Sequence, residues 1–337
     1  MLKNEIVSIY RPAEDRYKRM TYERCGDSGL LLPQISLGLW QNFGDVDCLN
    51  NARNILHTAF DLGITHFDLA NNYGPSYGSA EETLGRILKK DFYAYRDELI
   101  ISSKAGYDMW PGPYGIGGSR KYLISSCEQS LKRTGLDYFD IFYHHCVDEN
   151  TPINETVGAL ASIVQQGKAL YIGISNYPTN KTQTVIKALK EWNIPLLIHQ
   201  PKYNIFERWI EKDLFKTLLD EGVGSIVYSP LAQGLLSNKY LQGIPKNSRA
   251  ASVNSQYLNS EDITENTVTK ISRLNDLALS RSQSLAQMAI AWTLHNPAVT
   301  SCLIGASKPE QVKDCFLALN HLHFTDNELA LINQISA

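Results

Sequence analysis

Short, continuous apolar runs alternate along this chain with longer stretches in which apolar residues recur every three or four positions. The runs are Ile35–Trp40, Thr65–Ala70, Leu99–Ala105, Phe139–His145, Leu170–Ser175, Leu196–Gln200, Ser225–Ser229 and Ser301–Gly305. Unbroken apolar character marks parallel strands covered by helices on both faces, where a half-solvated strand would alternate. Helical patterns fill 47–62, 80–90, 121–134, 154–166, 179–192 and 211–221, with a final stretch before the eighth run. Eight strands alternating with helices over about 290 residues predict an α/β fold, either a closed (β/α)8 TIM barrel or a doubly wound sheet. A polar leader (1 to about 19) precedes a short hairpin, Thr21 to Pro33, that turns at Gly26-Asp27-Ser28-Gly29.

The connection after the seventh strand, 234–262, is long and polar and contains Lys239, Lys246 and Arg249. A loop of that length within a compact fold reads as a functional lid. No internal repeat, low-complexity tract or linker divides the sequence, so one barrel domain over residues 1–337 is the expected organisation.

Composition narrows the class. With 43% hydrophobic and 20% charged residues the chain is an ordinary globular sequence, and no window holds the roughly 18 apolar residues of a spanning helix. A net charge of −3 leaves no electrostatic footprint for nucleic acid or an anionic membrane. Six scattered cysteines without a Cys-x-x-Cys read as reduced residues. The expectation is a cytoplasmic protein whose partner is a small molecule. The glycine cluster from Gly112 to Gly118 follows no strand directly and lacks the downstream acid of a dinucleotide fingerprint. It reads as a loop entering a helix capped by Ser119.

Chemistry gathers at three strand ends. The second strand leads through Asp68 to Tyr73, the third ends at Lys104, and the fourth at His144-His145. In a (β/α)8 barrel these ends share one mouth. Carbonyl reduction needs a hydride at carbon and a proton at oxygen. A tyrosine hydroxyl can supply the proton if a cation lowers its ordinary pKa of about 10. Lys104 is that cation, Asp68 the counter-charge a buried lysine needs, and His145 a donor that orients the carbonyl. The scheme requires no metal, and the His-x-His opening of metal-dependent barrel hydrolases is missing from the first strand.

These residues sit inside longer motifs: Phe67-Asp68-Leu69-Ala70 leading to Tyr73-Gly74, the run Gly78 to Gly85, and Gly167 through Asn176. On them the chain resembles the aldo-keto reductase superfamily along nearly its whole length. Val147 to Pro152, Pro230 to Leu236, Lys239-Tyr240 and Leu303 to Ser307 make it similar to one branch. That branch holds bacterial L-glyceraldehyde 3-phosphate reductases and the β subunits of voltage-gated potassium channels. The resemblance implies the same catalytic tetrad, Asp68, Tyr73, Lys104 and His145, and extended binding of NADPH without a Rossmann fold. It implies that Ser175, Asn176 and Gln200 hold the nicotinamide amide while Tyr228 stacks on its ring. Ser229, Pro230, Leu231, Ala232 and Gln233 would line the pyrophosphate beneath Lys239 and Arg249, and Gly234 and Gly305 would also contact the cofactor. Ser307, Gln311 and Asp314 would face the adenosine end, and Trp40 the substrate side.

The implied reaction is reduction of a small aldehyde or ketone, with L-glyceraldehyde 3-phosphate and methylglyoxal as candidates. The implied assembly is a homo-oligomer, a tetramer or larger ring. The alternative is a cofactor-binding regulatory subunit with slow turnover; His145, where channel subunits carry another residue, favours the enzyme. Asp314-Cys315, Leu170 and Cys146 depart from the family pattern, which more often has Glu-Asn, Arg, and Trp or Arg there.

Overall fold

The computed structural model describes residues 10–245, 248–251 and 258–337, with only the main chain of Arg249. Its strands are β1 (Tyr22–Arg24), β2 (Leu31–Pro33), β3 (Ile35–Gly38), β4 (His66–Asp68), β5 (Ile100–Ala105), β6 (Phe139–His144), β7 (Ala169–Ser175), β8 (Leu196–Gln200), β9 (Gly224–Tyr228) and β10 (Ser301–Ile304). The first helices are α1 (Arg16–Arg19), α2 (Leu49–Asp61), α3 (Ser79–Ile87), α4 (Arg120–Thr134), α5 (Ile153–Gln165) and α6 (Thr179–Lys190). They are followed by α7 (Leu214–Asp220), α8 (Glu265–Ser280), α9 (Leu285–His295), α10 (Pro309–Phe316) and α11 (Asp326–Ser336).

β1 and β2 form the expected antiparallel hairpin, Tyr22 facing Pro33. The other eight strands hydrogen-bond in the order β10-β3-β4-β5-β6-β7-β8-β9 and the ring closes. The fold is therefore a (β/α)8 barrel, and the doubly wound alternative falls away. Every residue of β4, β5, β6, β8 and β10 is buried, as strands covered on both faces must be.

By contact density the chain divides into two compact units. The first comprises the described residues up to Thr21, Leu37–Ile172 and Ala306–Pro309; the second comprises Tyr22–Ser36, Gly173–Gly305 and Glu310–Ala337. In the first unit α2 buries Ala52, Ile55, Leu56, Ala59 and Phe60, an i, i+3, i+4, i+7, i+8 stripe. The Ser119 side chain accepts from the Tyr122 amide as the N-cap of α4, and Gly135 ends that helix at φ 69°. The leader is more than a polar tail from Tyr10 onward. The Tyr10 ring stacks on His57 at 3.7 Å, and its hydroxyl donates to Asp61 at 2.8 Å.

The pattern that stops near residue 90 ends there for a structural reason. α3 runs into a π turn over Leu88–Phe92 and then a 3-10 segment over Tyr93–Glu98. The π turn buries Asp91, whose carboxylate accepts from Arg53 at 2.5 and 2.8 Å and meets His57 at 3.0 Å.

In the second unit the stretch before the eighth barrel strand is two helices. Ser284 and Gln287 form a capping box at α9, a helix buried over most of its surface. The loop after β9 carries its own small core, Tyr240, Ala250 and Leu258 with Leu235 and Ile263 packed against it. Its polar composition conceals that apolar anchor.

Gly85 shows how tightly α3 meets α4. A Cβ at Gly85 would lie 2.7 Å from the carbonyl oxygens of Arg133 and Thr134, both main-chain atoms that cannot rotate aside. Alanine is the better helix former by about 1 kcal/mol, yet Gly85→Ala is expected to destabilise the fold by about 2 kcal/mol because overpacking outweighs propensity. Urea unfolding monitored by circular dichroism tests this, and a midpoint at or above wild type would contradict it.

Candidate active site

In the first unit the strand ends bring together the four residues expected there. Asp68 closes β4, Tyr73 follows it by five residues, Lys104 sits next to the end of β5, and His145 lies just past β6. Lys104 is fully buried, 0% exposed, as is Asp68. Its Nζ donates to Asp68 Oδ2 at 2.5 Å, to the Leu69 carbonyl at 2.6 Å and to the Tyr73 hydroxyl at 3.5 Å. An ammonium has three N–H donors, and each has an acceptor here. Burial holds Lys104 below its ordinary pKa, and the Asp68 carboxylate works against that loss.

Asp68 is itself supported. Ser102 Oγ donates to Asp68 Oδ1 at 2.6 Å, and His66 Nε2 lies 2.9 Å from Ser102 Oγ. Burial takes His66 down to about 4, so a neutral ring donates through Nε2 to Ser102, whose hydroxyl hydrogen-bonds onward to the carboxylate. Neither Ser102 nor His66 was singled out from the sequence. The signal was present: polar residues in strands buried on both faces must have partners. The same argument finds Glu81, a fully buried carboxylate in α3 that accepts from Ser103 at 2.5 Å and Arg133 at 2.7 Å.

The adjacent histidines differ. The His145 ring meets Tyr73 edge-on at 5.8 Å and Tyr107 at 4.6 Å. Burial, with Lys104 and His144 nearby, drives its pKa well below the usual value and leaves the imidazole neutral at physiological pH. His144 Nε2 lies 3.4 Å from the Gly117 carbonyl, and burial lowers it to about 4. Gly117 and Gly118 belong to the glycine cluster, whose loop is pinned by the Gly118 amide donating to Asp148 at 2.8 Å. His144 thus serves the loop and His145 accompanies Tyr73. Trp40 borders Tyr73, with ring centroids 6.4 Å apart. In the same unit the Ser307 carbonyl accepts from Asn51 at 2.9 Å.

The second unit holds most of the residues expected at the cofactor. Ser175 Oγ donates to the Gln200 carbonyl at 2.7 Å, Asn176 Nδ2 donates to Ser175 Oγ at 3.2 Å, and the Tyr228 hydroxyl donates to Asn176 Oδ1 at 2.7 Å. Four non-glycine residues of this group take left-handed main-chain angles: Asn176 (φ 59°), Ser229 (57°), Ala232 (45°) and Gln233 (60°). Such residues cost about 1 kcal/mol or more each and gather where function fixes the backbone. Gln233 Nε2 also donates to Ser229 Oγ at 3.1 Å. Pro230 is buried, Leu231 and Gly234 are half-buried, and Gly305 is exposed at the end of β10.

Other expected positions are less convergent. Lys239 is exposed and lines a cleft of about 640 Å³ with Asn238, Gln242, Ile244, Asn275 and Leu279. Asp314 Oδ1 accepts from Gln287 at 2.6 Å, while Gln311 is exposed. The Arg249 side chain and Lys246 lie outside the described residues. Among the described residues no helix is long and apolar enough to cross a membrane. No group of three or more His, Cys, Asp or Glu among them is arranged to hold a metal ion.

The arrangement can protonate an oxygen from a phenol backed by a buried cation. Comparison with known proteins identifies the family. Residues 34–337 match the model of the aldo/keto reductase family. The chain is 59% identical over 323 residues to L-glyceraldehyde 3-phosphate reductase of Escherichia coli K12, covering 95% of this chain and 93% of that protein. It is 34% identical over 306 residues to a probable voltage-gated potassium channel subunit beta of Arabidopsis thaliana, covering 89% and 92%. A rice protein of the same description is 35% identical over 309 residues, again covering 89% and 92%. On this fold, these strand-end residues and these matches, the chain belongs to the aldo/keto reductase family and is an oxidoreductase.

Proposed function

We propose that this reductase converts a small aldehyde or ketone to the alcohol with NADPH, Tyr73 delivering the proton. The observation that carries the reading is the saturated ammonium of Lys104, held between Asp68 and the Tyr73 hydroxyl with no exposure to solvent. NADPH, when bound, supplies the hydride that adds to the carbonyl carbon.

The chain's own residues supply the rest. The Tyr73 hydroxyl gives its proton to the developing alkoxide, and the Lys104 cation stabilises the phenolate that remains. A positive charge 3.5 Å from that oxygen acts strongly here because burial excludes the water that would screen it. Asp68, steadied by Ser102 and His66, keeps Lys104 charged and aimed. Neutral His145 donates a hydrogen bond that orients the carbonyl without competing for its proton.

For the cofactor, the Ser175–Asn176–Tyr228 chain presents amide and hydroxyl groups suited to a carboxamide. It also fixes the Tyr228 ring by its hydroxyl, as a stacking platform requires. The left-handed turn at Ser229, Ala232 and Gln233 suits a backbone that must approach a phosphate closely. Ser307, Gln311 and Asp314 are assigned to the adenosine end, with Lys239 and Arg249 over the pyrophosphate. L-glyceraldehyde 3-phosphate leads the substrate candidates because the Escherichia coli relative is named for it, and methylglyoxal follows. A panel of small aldehydes and ketones assayed with NADPH tests the reading. Bound cofactor with negligible turnover across the panel would point instead to an accessory subunit like the plant relatives.

Tyr73→Phe is expected to lower kcat by at least about 100-fold while NADPH affinity stays within about twofold, since the lost proton transfer matters only in the transition state. Fluorescence titration beside steady-state kinetics checks this, and a mutant with most of its kcat removes Tyr73 from the role.

His145→Ala is expected to reduce kcat by about 100- to 1000-fold, and His144→Ala by less, its effect read mainly as lost stability. The opposite ranking in parallel assays would reassign the two rings.

NADPH is expected to bind more tightly than NADH, because a 2′-phosphate gains charge-assisted hydrogen bonds that a hydroxyl cannot. Lys308, exposed at the start of the α10 turn, is one candidate donor; Lys239 and Arg249 are the others. At least one of Lys308→Ala and the double variant Lys239→Ala/Arg249→Ala should lose NADPH affinity selectively, and the preference should weaken as salt rises. Equal wild-type Kd values for the two cofactors would end the claim.

A further inference from the structure

The loops that carry Tyr73 and face His145 are tied together by a phenol that the tetrad does not include. Tyr122 stands in the first turn of α4 and is fully buried. Asn71, two residues before Tyr73, donates from Nδ2 to the Tyr122 hydroxyl at 2.9 Å and to Ser126 Oγ at 3.3 Å. The Tyr122 hydroxyl in turn donates to the Tyr107 carbonyl at 2.5 Å. One oxygen therefore accepts from the loop after β4 and donates to the loop after β5.

Both loops are otherwise fixed against catalytic residues. The Asn71 amide donates to the Lys104 carbonyl at 2.8 Å, so the segment leading to Tyr73 is registered on β5. The Tyr107 ring lies 4.6 Å from the His145 ring, near perpendicular at 74°. Gly106 leaves room for this contact: a Cβ there would stand 3.0 Å from His145 Cβ. The Trp110 ring packs on Tyr122 from the same loop at 5.2 Å. Burial raises the Tyr122 phenol above its ordinary pKa, so it stays a donor across the working pH range.

We propose that Tyr122 is a positioning residue for carbonyl reduction, its hydroxyl coupling the Tyr73 segment to the Tyr107 ring that aligns His145. The inference rests on the roles given to Tyr73 and His145 above. Removing the hydroxyl while keeping the ring takes one donor from the Tyr107 carbonyl and one acceptor from Asn71 Nδ2. The backbone then shifts locally, and small misplacements of reacting groups cost far more in rate than in binding.

The test is Tyr122→Phe in the full-length enzyme with a small aldehyde substrate, kcat being normalised to the folded fraction from near-UV circular dichroism. We expect kcat to fall roughly tenfold with KM within about twofold. A purely structural role would lower the folded fraction and leave normalised kcat near wild type, which would overturn the proposal. A second arm measures coupling: in a Tyr107→Leu background, Tyr122→Phe should cost much less than tenfold because the path to His145 is already cut. Fully additive losses would likewise overturn it. If Tyr122→Phe does not fold, Asn71→Ala reads the same link, and wild-type kcat there counts against the proposal. Tyr73→Phe is assayed alongside. An active Tyr73→Phe refutes the mechanism itself, whereas an inactive Tyr73→Phe beside a fully active Tyr122→Phe refutes the positioning role alone.

Discussion

A lysine ammonium with no solvent exposure is costly to keep charged, and the strand ends of the first unit are arranged around that need. Taking a cation from water into a protein interior costs several kcal/mol even after relaxation. Lys104 meets that cost with one carboxylate, one main-chain carbonyl and one phenol, each aligned with a separate N–H. Because a β-strand fixes where Lys104 sits and its neighbour β4 fixes Asp68, the pair is set by strand register, Asp68 facing Ser102 across the ladder. Rigid elements hold the charged pair, and the segments just beyond the strands carry Tyr73 and His145.

That constraint propagates outward. Asp68 needs a second donor, which is Ser102; Ser102 needs a donor in turn, which is His66. The histidines near the site are kept neutral by burial, so the cation faces no competing positive charge from them. A buried network of this kind is stable only when each member is satisfied. This explains why strands such as Ile100–Ala105 contain two serines and a lysine yet remain buried from end to end.

The sequence carried the fold through one property: its strands are largely buried on both faces, so their positions stand out as dense short runs, and all eight reappear within one or two residues. It carried the candidate tetrad because three strand ends held polar residues in a pattern that carbonyl chemistry explains. It did not reveal Tyr122, Asn71 or Tyr107, because a helix residue bonding two loops leaves no periodic trace. The apolar anchors of the long loop, Leu235, Tyr240, Leu258 and Ile263, are spaced too irregularly to read as an element. The order of the leader was hidden for a similar reason: Tyr10 is held by His57 and Asp61, partners about fifty residues away.

The π turn at Leu88–Phe92 has a consequence for how this barrel can change length. A wide turn of that kind accommodates one extra residue inside a helix, and the surplus rotates whatever follows by about 100° relative to an uninterrupted helix. Here the slippage is used: it swings Asp91 toward Arg53 and His57 and sends Phe92 to the Phe60 and Phe67 rings. Two segments of different phase are thereby spliced without disturbing either, so an insertion or deletion at the splice can be absorbed as winding, while the strands that bear the chemistry keep their register.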